Sequence, residues 1–148
     1  MTRRAFRPAT AVLVLGLVAA ACSGGGGGSS PGSGSGGAIQ LPGGISATNK
    51  GTTTVTGSST QIEASNAGGS YFFTPTVLKA SGGKKLTVTV KNSGDTEHNF
   101  SIDAAGINKN LQPGQSVTVQ VTLPSSGTLV FYCAFHKALG MAGQFTTS

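Results

Sequence analysis

Cysteine and histidine are both scarce in this chain, with two of each in 148 residues. Two cysteines cannot build the disulfide framework on which many small exported domains rely. Acidic side chains are nearly as rare: Glu63, Asp95, Glu97 and Asp103 are the only four. No Ser-His-Asp set is evident among them. No apolar run is long enough to cross a bilayer, because Ala9 to Ala21, interrupted by Thr10 and Gly16, falls short of the roughly 20 residues a spanning helix needs. Helical periodicity is missing, as is any internal repeat. The lysines (Lys50, Lys79, Lys84, Lys85, Lys91, Lys109 and Lys137) are scattered rather than gathered into a stripe with interleaved aromatics, which argues against nucleic-acid binding.

The N-terminus has the organisation of an export signal. A basic opening containing Arg3, Arg4 and Arg7 precedes the short apolar run, and small residues follow. Residues 1–21 are therefore expected to be a signal peptide. Ala19-Ala20-Ala21-Cys22 resembles the lipobox of bacterial lipoproteins, which implies cleavage before Cys22 and a lipid on its sulfur; an ordinary signal cleaved nearby would leave a free thiol. Arg3-Arg4 also resembles a twin-arginine export signal, and the general secretory route stays open beside it. Removal of the signal leaves seven Lys against four acids, a modest positive charge suited to an acidic protein partner. Ser23 to Gly37 comprises nine Gly, five Ser and one Pro. Such a segment has no core to form and spans about 20–25 Å as a coil. Residues 22–44 are thus expected to be a lipid-anchored flexible tether, and 45–148 a folded head outside the cytoplasm.

The head alternates short β-branched and aromatic runs with Gly, Pro, Asn and Ser. Strands are expected at Thr52–Thr56, Thr60–Ala64, Phe72–Ala80 with a bend at Pro75, Leu86–Val90, His98–Asp103, Val117–Val121, Thr128–Cys133 and Gly143–Thr147. In the fourth run, Leu86, Val88 and Val90 should face a core. The expectation is an all-β fold, a Greek-key β-sandwich of seven to eight strands.

Chemistry concentrates in few places. His98 and His136 are the only histidines, Met141 is the one methionine beyond Met1, and Cys133 is the one thiol left if Cys22 carries lipid. Three of these lie in Cys133-Ala-Phe-His136-Lys-Ala-Leu-Gly-Met141, where a single loop can curl round one ion. Taken singly, each has an ordinary structural reading: a buried small hydrophobe, a core thioether, a surface imidazole. Together, two imidazoles, a thiolate and a thioether make the donor set of a blue-copper electron-transfer site. Zinc prefers four firm tetrahedral ligands and gains little from a thioether.

At this point the chain resembles the cupredoxins of the plastocyanin and azurin type. Phe131 to Met141 is similar to that family's C-terminal ligand loop in its short form, and Asp95-Thr96-Glu97-His98-Asn99-Phe100 to its upstream His-Asn segment. Phe73-Thr74-Pro75, Leu78 and Gly83 resemble the preceding strand pair. The resemblance implies one copper ion held by His98, Cys133 and His136 with Met141 as the weak axial ligand. It implies that Asn99 ties the His98 strand to the Cys133 loop, and that the His136 ring edge lies near the surface. A redox protein partner is then expected to dock on a monomer beside His136, at Lys137, Leu139 and Gly140. Copper storage or delivery with the same ligands is the alternative function, and a structural or adhesive sandwich a third. Enzymes with further copper centres require more histidine than this chain has.

Overall fold

The computed structural model describes residues 36–148. The expected signal peptide, Cys22 and most of the Gly/Ser segment lie outside the described residues. Twelve strands follow in order: β1 Ala38–Leu41, β2 Ile45–Thr48, β3 Thr52–Val55, β4 Ser59–Ala67, β5 Ser70–Thr74, β6 Val77–Ala80, β7 Lys85–Asn92, β8 His98–Ile102, β9 Ile107–Leu111, β10 Ser116–Thr122, β11 Gly127–Tyr132 and β12 Ala142–Thr147. Short 3₁₀ turns at Asp103–Ala105 and Lys137–Leu139 interrupt them.

Two sheets form the sandwich. One has four strands in the order β10-β7-β4-β5, the other six in the order β3-β6-β12-β11-β8-β9, and β1-β2 is a separate hairpin. Period-two alternation builds the core between them. Leu86, Val88 and Val90 of β7 are fully buried, as the alternation predicts, and Val121 of the paired β10 joins them. From the other sheet come Phe100, Phe131 and Phe145, packed with Phe73 of β5 at ring separations of 5.3–5.9 Å. All four rings are fully buried, so truncating any one to Ala should cost about 3–5 kcal/mol.

Three features differ from the sequence reading. The extended run Phe72–Ala80 is two strands: β5 belongs to the four-stranded sheet and β6 to the six-stranded one, so the chain changes layer at Pro75–Thr76. The strand number exceeds seven or eight because β1, β2 and β9 carry little alternation. β9 lies at a sheet edge, where Asn108, Lys109 and Asn110 face water and only its ends are apolar. Finally, a tether running to residue 44 is too long. Ala38–Leu41 is a strand, paired in register with Ile45–Thr48 and seated through the buried Leu41. The expected boundary falls in the turn of that hairpin.

Candidate metal centre

Strand adjacency brings the donors together. β11 lies between β8 and β12, and Tyr132, its last residue, pairs with Ser101 of β8 on one side and Ala142 of β12 on the other. Cys133 and Met141 therefore leave the sheet side by side at one end. β8 runs antiparallel to β11, so its first residue, His98, reaches the same end. The side-chain donor atoms of His98, Cys133 and His136 all lie within 4.8 Å of one another. His98, Cys133 and Met141 are fully buried and His136 partly so. His136 Nδ1 stands 3.5 Å from Cys133 Sγ.

The backbone of the loop holds this arrangement. Cys133 N–H donates to the Met141 carbonyl at 3.0 Å, Met141 N–H to the His136 carbonyl at 3.1 Å, and His136 and Lys137 N–H to the Cys133 carbonyl. Asn99 links loop and sheet. Its backbone N–H donates to Cys133 Sγ at 3.3 Å, and its Oδ1 accepts from Ala134 N–H at 3.2 Å. Ser101 Oγ donates to the same Oδ1, while Asn99 Nδ2 donates to Asn108 Oδ1 and Asn110 Oδ1 on β9. The side-chain amide is thereby fixed in one orientation, while the backbone N–H of the same residue is aimed at the sulfur.

Other positioning residues escaped the sequence reading. Asn92 is fully buried at the end of β7. Its Nδ2 donates to the Thr96 and Leu111 carbonyls and its Oδ1 accepts from Gly94 N–H, which shapes the turn entering His98. Asn66 of β4 bonds Asp95 at 2.6 Å and closes the same turn from above. Gly94 lies so close that an added Cβ would collide with Asn66 and crowd His98 Nε2. Tyr71 of β5 stacks on His136 at 4.0 Å and 13° and meets His98 edge-on. A strand aromatic next to Phe72 and Phe73 reads as packing, so nothing in the sequence marked it.

Electrostatics show what the pocket lacks. Neither ring nitrogen of His98 has a hydrogen-bond partner, although both are buried. Burial first, and His136 second, lower its pKa to about 4 against the opposing effect of Asp95. Burial also lowers that of His136. Neutral imidazoles and a sulfur converge here without a protein proton donor for His98. Unpaired buried polar atoms cost roughly 1–3 kcal/mol each, so such a cluster fits a soft cation rather than a packed core.

The outward side of the loop is apolar. Phe135 and Leu139 are 49% and 58% exposed, the only large hydrophobics so exposed among the described residues. Gly140 is half-buried next to them. Lys137 is exposed, with its Nζ 4.3 Å over the Tyr132 ring. Tyr132 OH in turn donates to Asp103 at 2.6 Å.

Comparison with known proteins agrees with this geometry. Plastocyanin A/B of Petroselinum crispum is 33% identical over 98 residues, which cover 60% of this chain and 99% of that protein. Auracyanin B superposes with a TM-score of 0.50 at 18% identity, over 61% of this chain and 88% of that one. The copper-containing nitrite reductase of Thermus scotoductus gives a TM-score of 0.50 at 21% identity, over 65% of this chain but only 28% of the enzyme. These two superpositions establish the fold alone. A family model described as a cupredoxin-like domain matches residues 45–146. That match spans the donor cluster and the strands that carry it, and the chain belongs to the cupredoxin-like family.

Proposed function

We propose that the protein is a one-electron carrier that holds a single copper ion between His98, Cys133 and His136, with Met141 as the weaker fourth ligand. The observation that carries this reading is the buried His98–Cys133–His136 cluster with both His98 nitrogens unpartnered. Copper bound there supplies a Cu(I)/Cu(II) couple in a donor set acceptable to both oxidation states. The protein does the rest. Asn99 N–H directs a dipole at the Cys133 sulfur, Tyr71 holds the His136 ring by stacking, and the Phe73–Phe100–Phe131 core walls the inner side against water. Fixed ligands limit rearrangement when the charge changes.

Phe135 and Leu139, with Gly140 and Lys137, make a small apolar surface beside His136 on which a redox protein partner can dock briefly. The protein acts as a monomer, anchored by lipid on Cys22 outside the cytoplasm. Plastocyanin relatives matched nearly end to end support carriage over catalysis. Both histidines of the chain sit in this one cluster, leaving none for a second copper centre. Copper delivery would use the same ligands, but a buried, doubly anchored Cys133 suits retention better than release.

The test is the visible spectrum of the protein after Cu(II) addition. An intense thiolate-to-copper band near about 600 nm, absent in Cys133→Ser, is the expected result. A folded protein without that band overturns the reading.

A further inference from the structure

We propose that the β1–β2 hairpin is a positioning element of the metal loop, acting through Thr48 and Gly140 on Met141. The inference rests on the copper reading for its consequence and on independent contacts for its geometry. Most hydrogen bonds of the loop between Cys133 and Met141 are internal to it. Apart from the adjoining Ala142 N–H, which also donates to the Gly140 carbonyl, two link residues 134–141 to other elements among the described residues. At the Cys133 end, Ala134 N–H donates to Asn99 Oδ1. At the Met141 end, Thr48 N–H donates to the Gly140 carbonyl at 2.9 Å. The loop is thus held at both ends, once by β8 and once by the hairpin.

The second anchor is closely built. Gly140 has φ +89°, a left-handed conformation that suits glycine. A Cβ added there would come within 2.9 Å of Thr48 Oγ1, so the strand backbone lies directly against the loop. Thr48 is fixed in turn: its carbonyl accepts from Thr76 Oγ1 at 3.0 Å, and the same Oγ1 accepts from Lys50 N–H at 2.7 Å. The hairpin has its own small apolar cluster, Leu41 and Ala47 with Ala142, flanked by Ile39, Ile45 and Tyr132. Ala142 follows Met141 and Tyr132 precedes Cys133, so this cluster grips the sheet where both ligand residues leave it.

β1 lies outside the family match, which begins at residue 45. The support on the Met141 side therefore draws on a strand outside the matched residues. It is also the first described strand after the Gly/Ser segment. Loosening the hairpin should let Gly140–Met141 move while β7 and β10 stay as they are.

Thr48→Pro removes the donated N–H while keeping an extended backbone. Thr48→Ala keeps the N–H and serves as control, and Leu41→Ala unseats β1 without touching Thr48 or the loop. Amide hydrogen exchange is read on the full copper-free chain. Thr48→Pro and Leu41→Ala should speed exchange at Gly140, Met141 and Ala142 by about five- to ten-fold, as expected for one backbone hydrogen bond, with β7 amides unchanged. In the copper-loaded protein both should shift the reduction potential while the thiolate band remains. Unchanged exchange at Gly140–Ala142 in a folded Leu41→Ala protein overturns the clamp, as does faster exchange with an unaltered potential. A wild-type chain lacking the blue band would sink the copper reading alone, since the exchange measurement needs no metal.

Discussion

Asn92 and His98 stand at the two ends of one turn, both fully buried, and the protein treats them oppositely. Asn92 donates to two carbonyls and accepts from a third residue's N–H. His98 has both ring nitrogens unpaired. The turn is thus saturated at the end that shapes it and unsatisfied at the end that faces Cys133 and His136. A polar residue that completes its hydrogen bonds contributes stability, whereas one left incomplete at equal burial marks a place kept for something else.

The contrast can be broken by removing each side chain from the copper-free protein. Asn92→Ala leaves the buried Leu111 carbonyl without its side-chain donor and frees the turn, and it should cost about 3 kcal/mol. His98→Leu exchanges an unpaired imidazole for a hydrocarbon of similar size and should change stability by less than about 1 kcal/mol. Urea midpoints at pH 7 measure both. Equal losses would mean that His98 is structural and the contrast empty.

Acid should sharpen it. His98 has a folded pKa of about 4 and an ordinary value of 6.5 when unfolded. Between these values the unfolded chain binds more protons, so stability rises with pH there. Copper-free protein should therefore keep its full stability above pH 6.5 and lose it progressively down to pH 4, by about 2–3 kcal/mol from this residue. His136, also lowered, adds in the same direction. The loss should shrink in His98→Leu. A flat profile over this window would remove the electrostatic half of the contrast.

How far the sequence reveals these roles depends on what kind of information each role needs. The proposed donors stand out in the sequence because they are chemically rare: His98, Cys133, His136 and Met141 need only be picked by type and order. The core of β7 was legible because Leu86, Val88 and Val90 alternate cleanly. Asn92 stands out in no local pattern, since its carbonyl partners belong to Thr96 and to Leu111 on another strand. Thr48 and Tyr71 act across elements whose pairing no local pattern encodes, and β1 is too short and too close to the Gly/Ser segment to announce itself. Chemistry was therefore visible where most of its support was not, Asn99, expected from the family resemblance, being the exception.

Tyr71 allows a smaller test of that distinction. Stacked aromatic pairs contribute about 0.5–1.5 kcal/mol beyond buried area. Tyr71→Ala should lower copper-free stability at least by that amount and broaden the His136 ring resonances in NMR spectra. Tyr71→Phe should retain the stack and both properties. Equal effects of Phe and Ala would assign the role to the hydroxyl instead.

Lys137 offers the smallest effect and the clearest division between stability and surface chemistry. Its ammonium sits over the Tyr132 ring in an exposed position, where such contacts contribute about 0.5–1 kcal/mol. Lys137→Gln should therefore alter the urea midpoint only slightly and leave the copper band intact, because the residue's hydrogen bonds to the loop are made by its backbone. Its charge, however, lies one residue from His136. If electrons leave beside His136, as proposed, losing one positive charge there should slow oxidation by a small anionic reagent about two-fold at roughly 0.1 M salt, with the difference fading as salt increases. A cationic reagent should respond in the opposite sense. Equal responses to both reagents would mean that electrons leave by another surface, and that the apolar patch of Phe135 and Leu139 is not the docking face.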